Sequence, residues 1–83
     1  MITIRYRGEL LDAIGHPFDR VADVHTAAAA MRFLKMAYGK AIYKTAKRML
    51  IVVNGESIAL HGYFRAALQE GDELGFLPIC GGG

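Results

Sequence analysis

The chain has 83 residues, a formal net charge of +2 and a hydrophobic fraction of 53%. A chain this short forms one domain and buries only about 60–65% of the surface its unfolded form exposes, so most apolar residues must share one core. A charge of +2 is too weak to argue for nucleic acid, and no apolar run approaches the roughly 20 residues that span a bilayer. The single cysteine, Cys80, has no internal partner, and "MITIRYRGELL" lacks a secretory h-region. A cytoplasmic protein without membrane or nucleic-acid partners is expected.

In "ITIRYR", Ile2, Ile4 and Tyr6 alternate with Thr3, Arg5 and Arg7, the period-two pattern of a half-buried strand. Gly8 and "DAIGHP" read as a turn region, and "FDRVADV" as a second strand closing an antiparallel hairpin. "TAAAAMRFLKMAYG" predicts the main helix: Thr26 caps it, four alanines open it, and Gly39 stops it. Ala27, Ala30, Met31, Leu34 and Tyr38 (or Ala37) form its apolar stripe. "KAIYKTAKR" fits either a short second helix or a loop with one turn. "MLIVV" predicts a strand at the middle of the sheet, covered on both sides. It is followed by an "NG" turn, a strand in "ESIAL" and a short helix in "GYFRAALQ". A final strand runs through Leu74, Phe76 and Leu77 and ends at Pro78, which has no backbone donor. The α+β class follows, with a mixed sheet curled around one helix.

Conventional catalytic patterns are missing from the sequence. His16, His25 and His61 have no second ligand at metal spacing, so no metal site is expected. The acidic residues suggest no pair across a cleft, and no glycine-rich loop joins a strand to a helix. Cys80 reads as a small apolar residue near a strand end or as a nucleophile without a local base. Lys40, Lys44 and Arg48 share one helical face at i, i+4, i+8, with Lys35 and Lys47 nearby. That face is either solvated or a basic patch that meets an acidic partner.

The chain ends "FLPICGGG". Three glycines contribute nothing to a core and lose the most freedom on ordering. A terminal glycine does carry a free α-carboxylate, with a pKa near ~3.5, and its slim neighbours can thread a narrow partner site. Fully extended, the segment from Pro78 to Gly83 reaches roughly 20 Å. Its carboxylate can attack the α-phosphate of ATP, and a sulfur nucleophile or a lysine amine can then replace AMP.

"VNGES…LQEGDELGFLPICGGG" resembles the end of the MoaD/ThiS sulfur-carrier family, ubiquitin-like β-grasp proteins, and is closest to the small subunit of molybdopterin synthase. Gly71 and Asp72 match the family's Gly-Asp turn. Phe76, Leu77 and Pro78 match its strand end, and Gly82 and Gly83 its diglycine. Ile79 stands where a second proline is usual, and Cys80 and Gly81 replace small or aliphatic residues. The resemblance implies a β-grasp domain over residues 1–78, with about five strands, and a flexible tail over 79–83. It implies that Gly83 is adenylated and thiocarboxylated, so that the chain is a co-substrate rather than a stand-alone enzyme. Phe76, Leu77, Pro78, Gly81 and Gly82 would meet the partners: an E1-like adenylating enzyme and the molybdopterin synthase large subunit or a similar sulfur acceptor. No cofactor would be bound, ATP being used by the activating partner. Phe76, Leu60 and Ile58 are candidates both for an apolar patch that grips each partner and for the core. The alternatives are a ubiquitin-like modifier joined to lysines and a β-grasp binding module whose glycines are never activated.

Overall fold

The computed structural model describes residues 1–79. Five strands form one mixed sheet: β1 (Ile2–Arg5), β2 (Phe18–Val21), β3 (Leu50–Val53), β4 (Glu56–Ser57) and β5 (Glu73–Leu77), in the order β2-β1-β5-β3-β4. β1 runs antiparallel to β2 and parallel to β5, while β3 runs antiparallel to both β5 and β4. The last strand therefore occupies the centre of the sheet, hydrogen-bonded on both sides.

Among the described residues, three α-helices accompany the sheet: α1 (Glu9–Ile14), α2 (Ala27–Tyr38) and α3 (Lys40–Lys47). In α2, Thr26 Oγ1 accepts from the Ala29 amide, satisfying one of the unpaired donors at the helix start, and Gly39 ends the helix at φ 93°. Its stripe of Ala27, Ala30, Met31 and Leu34 is buried against the inward side chains of the sheet. Ile2, Ile4, Tyr6, Ile51, Val53, Leu74 and Phe76 supply that layer. Alanine at two stripe positions lets the helix lie close to these larger side chains.

Several expectations need correction. The region read as a turn after Gly8 holds α1, whose Leu10 is fully buried and whose first turn carries Glu9 and Asp12, favourable charges at a helix start. The second strand stops at Val21, and Asp23 turns away at φ 60°. "ESIAL" gives only two strand residues before a 3₁₀ turn at Ile58–His61, opened by Ser57 Oγ accepting from the Ala59 amide. "GYFRAALQ" forms a 3₁₀ turn at Tyr63–Arg65 rather than a helix, after which Ala67 bridges to Thr26. β3 lies one strand from the edge; Ile51–Val53 are buried, but Leu50 is exposed. "KAIYKTAKR" resolves as helix α3. No helix among the described residues is long and apolar enough to cross a membrane.

Candidate functional site

The site is built where β5 leaves the sheet. Period-two geometry sends Leu74 and Phe76 into the core and Glu73, Gly75 and Leu77 to the other face. Both inward side chains are fully buried, so the strand is held along its length. Leu77 pairs with Leu50 of β3 and is half-buried, and Pro78 and Ile79 are exposed. Proline here stops the ladder, as the sequence implied. It also makes a contact that the sequence did not reveal. An added Cβ on Gly8 would lie 3.2 Å from Pro78 Cγ, and Gly8 has φ 57° and ψ −131°, a conformation suited to glycine. The start of α1 thus backs the point where the chain departs.

Beside Ile79 lies a groove of about 250 Å³, lined by Met49, Leu50, Ile58, Tyr63, Phe64 and Ile79 among others. Leu50, Tyr63 and Ile79 are all exposed, so the groove offers apolar surface next to the departing chain. Of the three patch candidates, Phe76 (0% exposed) and Ile58 (6%) belong to the buried core cluster, and Ile58 also lines the floor of the groove. Phe76 presents no surface to a partner and acts by anchoring β5. Leu60, at 72% exposed, is free for contact. Cys80, Gly81, Gly82 and Gly83 lie outside the described residues.

Two motifs that are far apart in sequence are joined here. Asn54 and Gly55 have φ 50° and 85°, the positive pair that a type I′ hairpin turn requires. Asn54 Nδ2 donates to Asp72 Oδ1 at 3.0 Å, and its Oδ1 accepts from the Glu73 amide at 3.0 Å. Asp72 Oδ2 accepts from the Gln69 amide at 2.8 Å. That amide and the Asn54 side chain hold the Asp72 carboxyl below its ordinary range, outweighing a small effect of burial. The "NG" and "GD" turns therefore clamp the entry to β5, just as Phe76 and Pro78 govern its exit.

A second polar cluster was not visible in the sequence. Asp19 on β2 accepts from Tyr6 at 2.7 Å, from Tyr38 at 2.5 Å and from His16 at 2.9 Å. Burial pushes the Asp19 carboxyl up, but the Tyr38, Tyr6 and His16 hydrogen bonds outweigh it and leave it low. Burial and the Asp19 charge push Tyr38 up to about 12 and raise Tyr6 further. With three donors on one carboxylate and no buried side-chain polar atom unpaired among the described residues, the cluster is a clamp between β1, β2 and α2. Only the His16–Asp19 spacing hinted at it; Tyr6 and Tyr38 arrive from other elements.

The ThiS family model matches residues 4–83. The chain belongs to the ThiS family. It is a family of sulfur carriers with the ubiquitin-like β-grasp fold. Among solved structures, the small archaeal modifier protein SAMP1 of Methanosarcina acetivorans matches with a TM-score of 0.81 at 21% identity, over 99% of this chain and 95% of its own. A chain of the Amycolatopsis orientalis BexX/CysO complex matches with a TM-score of 0.79 at 19% identity, over 100% of both chains. Molybdopterin converting factor subunit 1 of Pyrococcus furiosus matches with a TM-score of 0.63 at 14% identity, over 93% and 94%. At these identities the structural likeness establishes the fold. No curated protein matches the sequence significantly.

Proposed function

We propose that this protein is a cytoplasmic sulfur carrier of molybdopterin biosynthesis, with Gly83 as the C-terminal residue that is activated. The observation that carries the reading is the family match running through residue 83, on a chain whose central strand brings Ile79 beside an apolar groove. A Gly83 carboxylate oxygen attacks the α-phosphorus of ATP in an E1-like enzyme, and pyrophosphate leaves. Hydrosulfide-level sulfur then attacks the carbonyl carbon, forming the C–S bond as the bond to AMP breaks, and a thiocarboxylate remains. That sulfur passes to a dithiolene precursor in a complex with a larger catalytic subunit. The chain binds no cofactor of its own. The strand end Phe76–Leu77–Pro78 supports the molybdopterin branch. The groove at Ile79 supplies the grip such a partner needs, because a six-residue segment alone loses too much entropy on ordering.

A second reading, attachment of the same activated Gly83 to lysines of target proteins, is favoured by the fold shared with SAMP1, which is named a modifier. Intact-mass measurement after incubation with ATP, a sulfur donor and an E1-like enzyme from the same genome tests the proposal. Exchange of one carboxyl oxygen for sulfur at Gly83, followed by sulfur transfer to a dithiolene precursor, is the expected result. Lysine conjugates without dithiolene formation would move the assignment to a modifier. An unchanged mass with an active enzyme would reject activation altogether.

A further inference from the structure

Helices α2 and α3 and the 3₁₀ turn at Tyr63–Arg65 enclose a second cleft, of about 300 Å³, lined by Met31, Arg32, Lys35, Tyr43, Lys47 and Phe64 together with Ala28. Three of these residues are cations and none is acidic. Among the described residues, no carboxylate forms an ion pair with Arg32, Lys35 or Lys47. Lys35 Nζ lies 5.3 Å and Lys47 Nζ 5.7 Å from the centroid of the Tyr43 ring, which gathers both ammonium groups at one side chain. Buried Met31 and partly exposed Phe64 add apolar surface beside the charges.

The cleft belongs to a strongly segregated charge distribution. Residues 24–55 contain six of the ten Lys and Arg residues and none of the eight Asp and Glu residues. An ordinary solvated helix face interleaves signs and pairs them at i, i+4. Here α2 and α3 are purely cationic, and the rest of the chain carries the compensating acids. Lys40, Lys44 and Arg48 do not line the cleft, so its cations are a separate set from the row evident in the sequence. Lys47 and Phe64 also line the groove that reaches Ile79, which makes the two depressions neighbours.

We infer that this cleft docks an acidic peptide segment of a partner protein. Its carboxylates sit between Arg32, Lys35 and Lys47, and an apolar side chain rests on Phe64 and Met31. The guanidinium fork of Arg32 suits a carboxylate, and the two ammonium groups supply point charges. The ring face of Tyr43 is engaged by those ammonium groups, which disfavours a stacked nucleobase. The charge asymmetry of the whole molecule also orients this face toward an acidic partner during encounter. None of this requires activation of Gly83.

The test is an amide-resolved NMR titration of the full chain with a pool of end-blocked hexapeptides made from Asp, Glu, Leu and Phe. Saturable shifts are expected at Arg32, Lys35, Tyr43, Lys47 and Phe64. Each of Lys35→Glu and Lys47→Glu should weaken binding by roughly tenfold, while Lys40→Glu and Lys44→Glu change it by less than about twofold. Lys35→Gln, the milder change, should show an intermediate loss at unchanged melting temperature. The inference is overturned by any of four results: no saturable shifts, equal effects at Lys40 and Lys44, equal binding of a pool with Asn and Gln in place of the acids, or tighter binding of ATP or anionic vesicles at the same amides. The readout uses no activating enzyme, so its failure is separable from failure of the sulfur-carrier reading.

Discussion

The phenol of Tyr6, fully buried at the end of β1, donates a 2.7 Å hydrogen bond to the carboxylate of Asp19 on β2. This bond ties the first hairpin to α2, because Tyr38 donates to the same oxygen. Tyr6→Phe keeps the ring and its packing but removes one donor from an ionised acceptor. A loss of about 1–2 kcal/mol in urea unfolding is expected. Tyr38→Phe, at a less buried position, should cost less. Equal stability of Tyr6→Phe and the parent would show that the bond contributes nothing.

The same cluster sets the response to pH. The Asp19 carboxyl is lower in the folded chain than its ordinary value of 3.8, so folding favours its ionised form. Its contribution is complete above that value and fades as pH falls through the lower folded pKa. Tyr38 behaves in the opposite sense: raised from 10.0 to about 12, it stabilises fully below pH 10.0 and loses that contribution as pH climbs toward about 12. Asp19→Asn should therefore lower stability near neutral pH while flattening the profile at both extremes. Stability measured across pH, with tyrosinate absorbance as the alkaline readout, checks both limbs.

Gly8 and Gly15 separate backbone strain from contact. Both have positive φ, 57° and 91°, but only a Cβ at Gly8 meets a neighbour, Pro78. Gly8→Ala should destabilise by about 1–3 kcal/mol and shift the NMR signals of Leu77 and Ile79. Gly15→Ala should leave those signals in place, and if both variants moved them alike, Gly8 would have no special link to the departing chain.

Core and surface aromatic or aliphatic residues near β5 should part sharply on truncation. Phe76→Ala opens a cavity under α2 and should cost about 3–5 kcal/mol, enough to unfold much of the population at ambient temperature. Leu60→Ala and Ile79→Ala should stay within about 0.5 kcal/mol of the parent. In the proposed function, Ile79→Ala weakens complex formation with the activating enzyme without changing the melting temperature.

Gly83→Ala should fold like the parent yet be adenylated poorly, and a residue appended after Gly83 should abolish thiocarboxylate formation. Pyrophosphate release and intact mass, read beside a thermal melt, give the check. A matching fall in melting temperature would place the defect in folding rather than in activation.

Local chemistry made part of this protein legible from its residues alone. The bounds of α2 were written in Thr26 and Gly39, the hairpin turn in Asn54 and Gly55, and the end of β5 in Pro78, because capping, positive φ and a missing donor act within a few residues. The family, too, was readable, since most of its marks lie between Gly71 and Gly83. Long-range packing decided the rest. Nothing near Ile4 says that it pairs with Leu74, and parallel pairing of the first and last strands is what makes β5 central. Phe76 reads equally well as patch or core until the layer under α2 is assembled. The α1 segment looked like a turn because its glycines are the helix's own borders, and burial of Leu10 is what holds it. Likewise Tyr6 and Tyr38 share no local spacing with His16 and Asp19; only the closure of sheet and helix brings their polar atoms to one carboxylate.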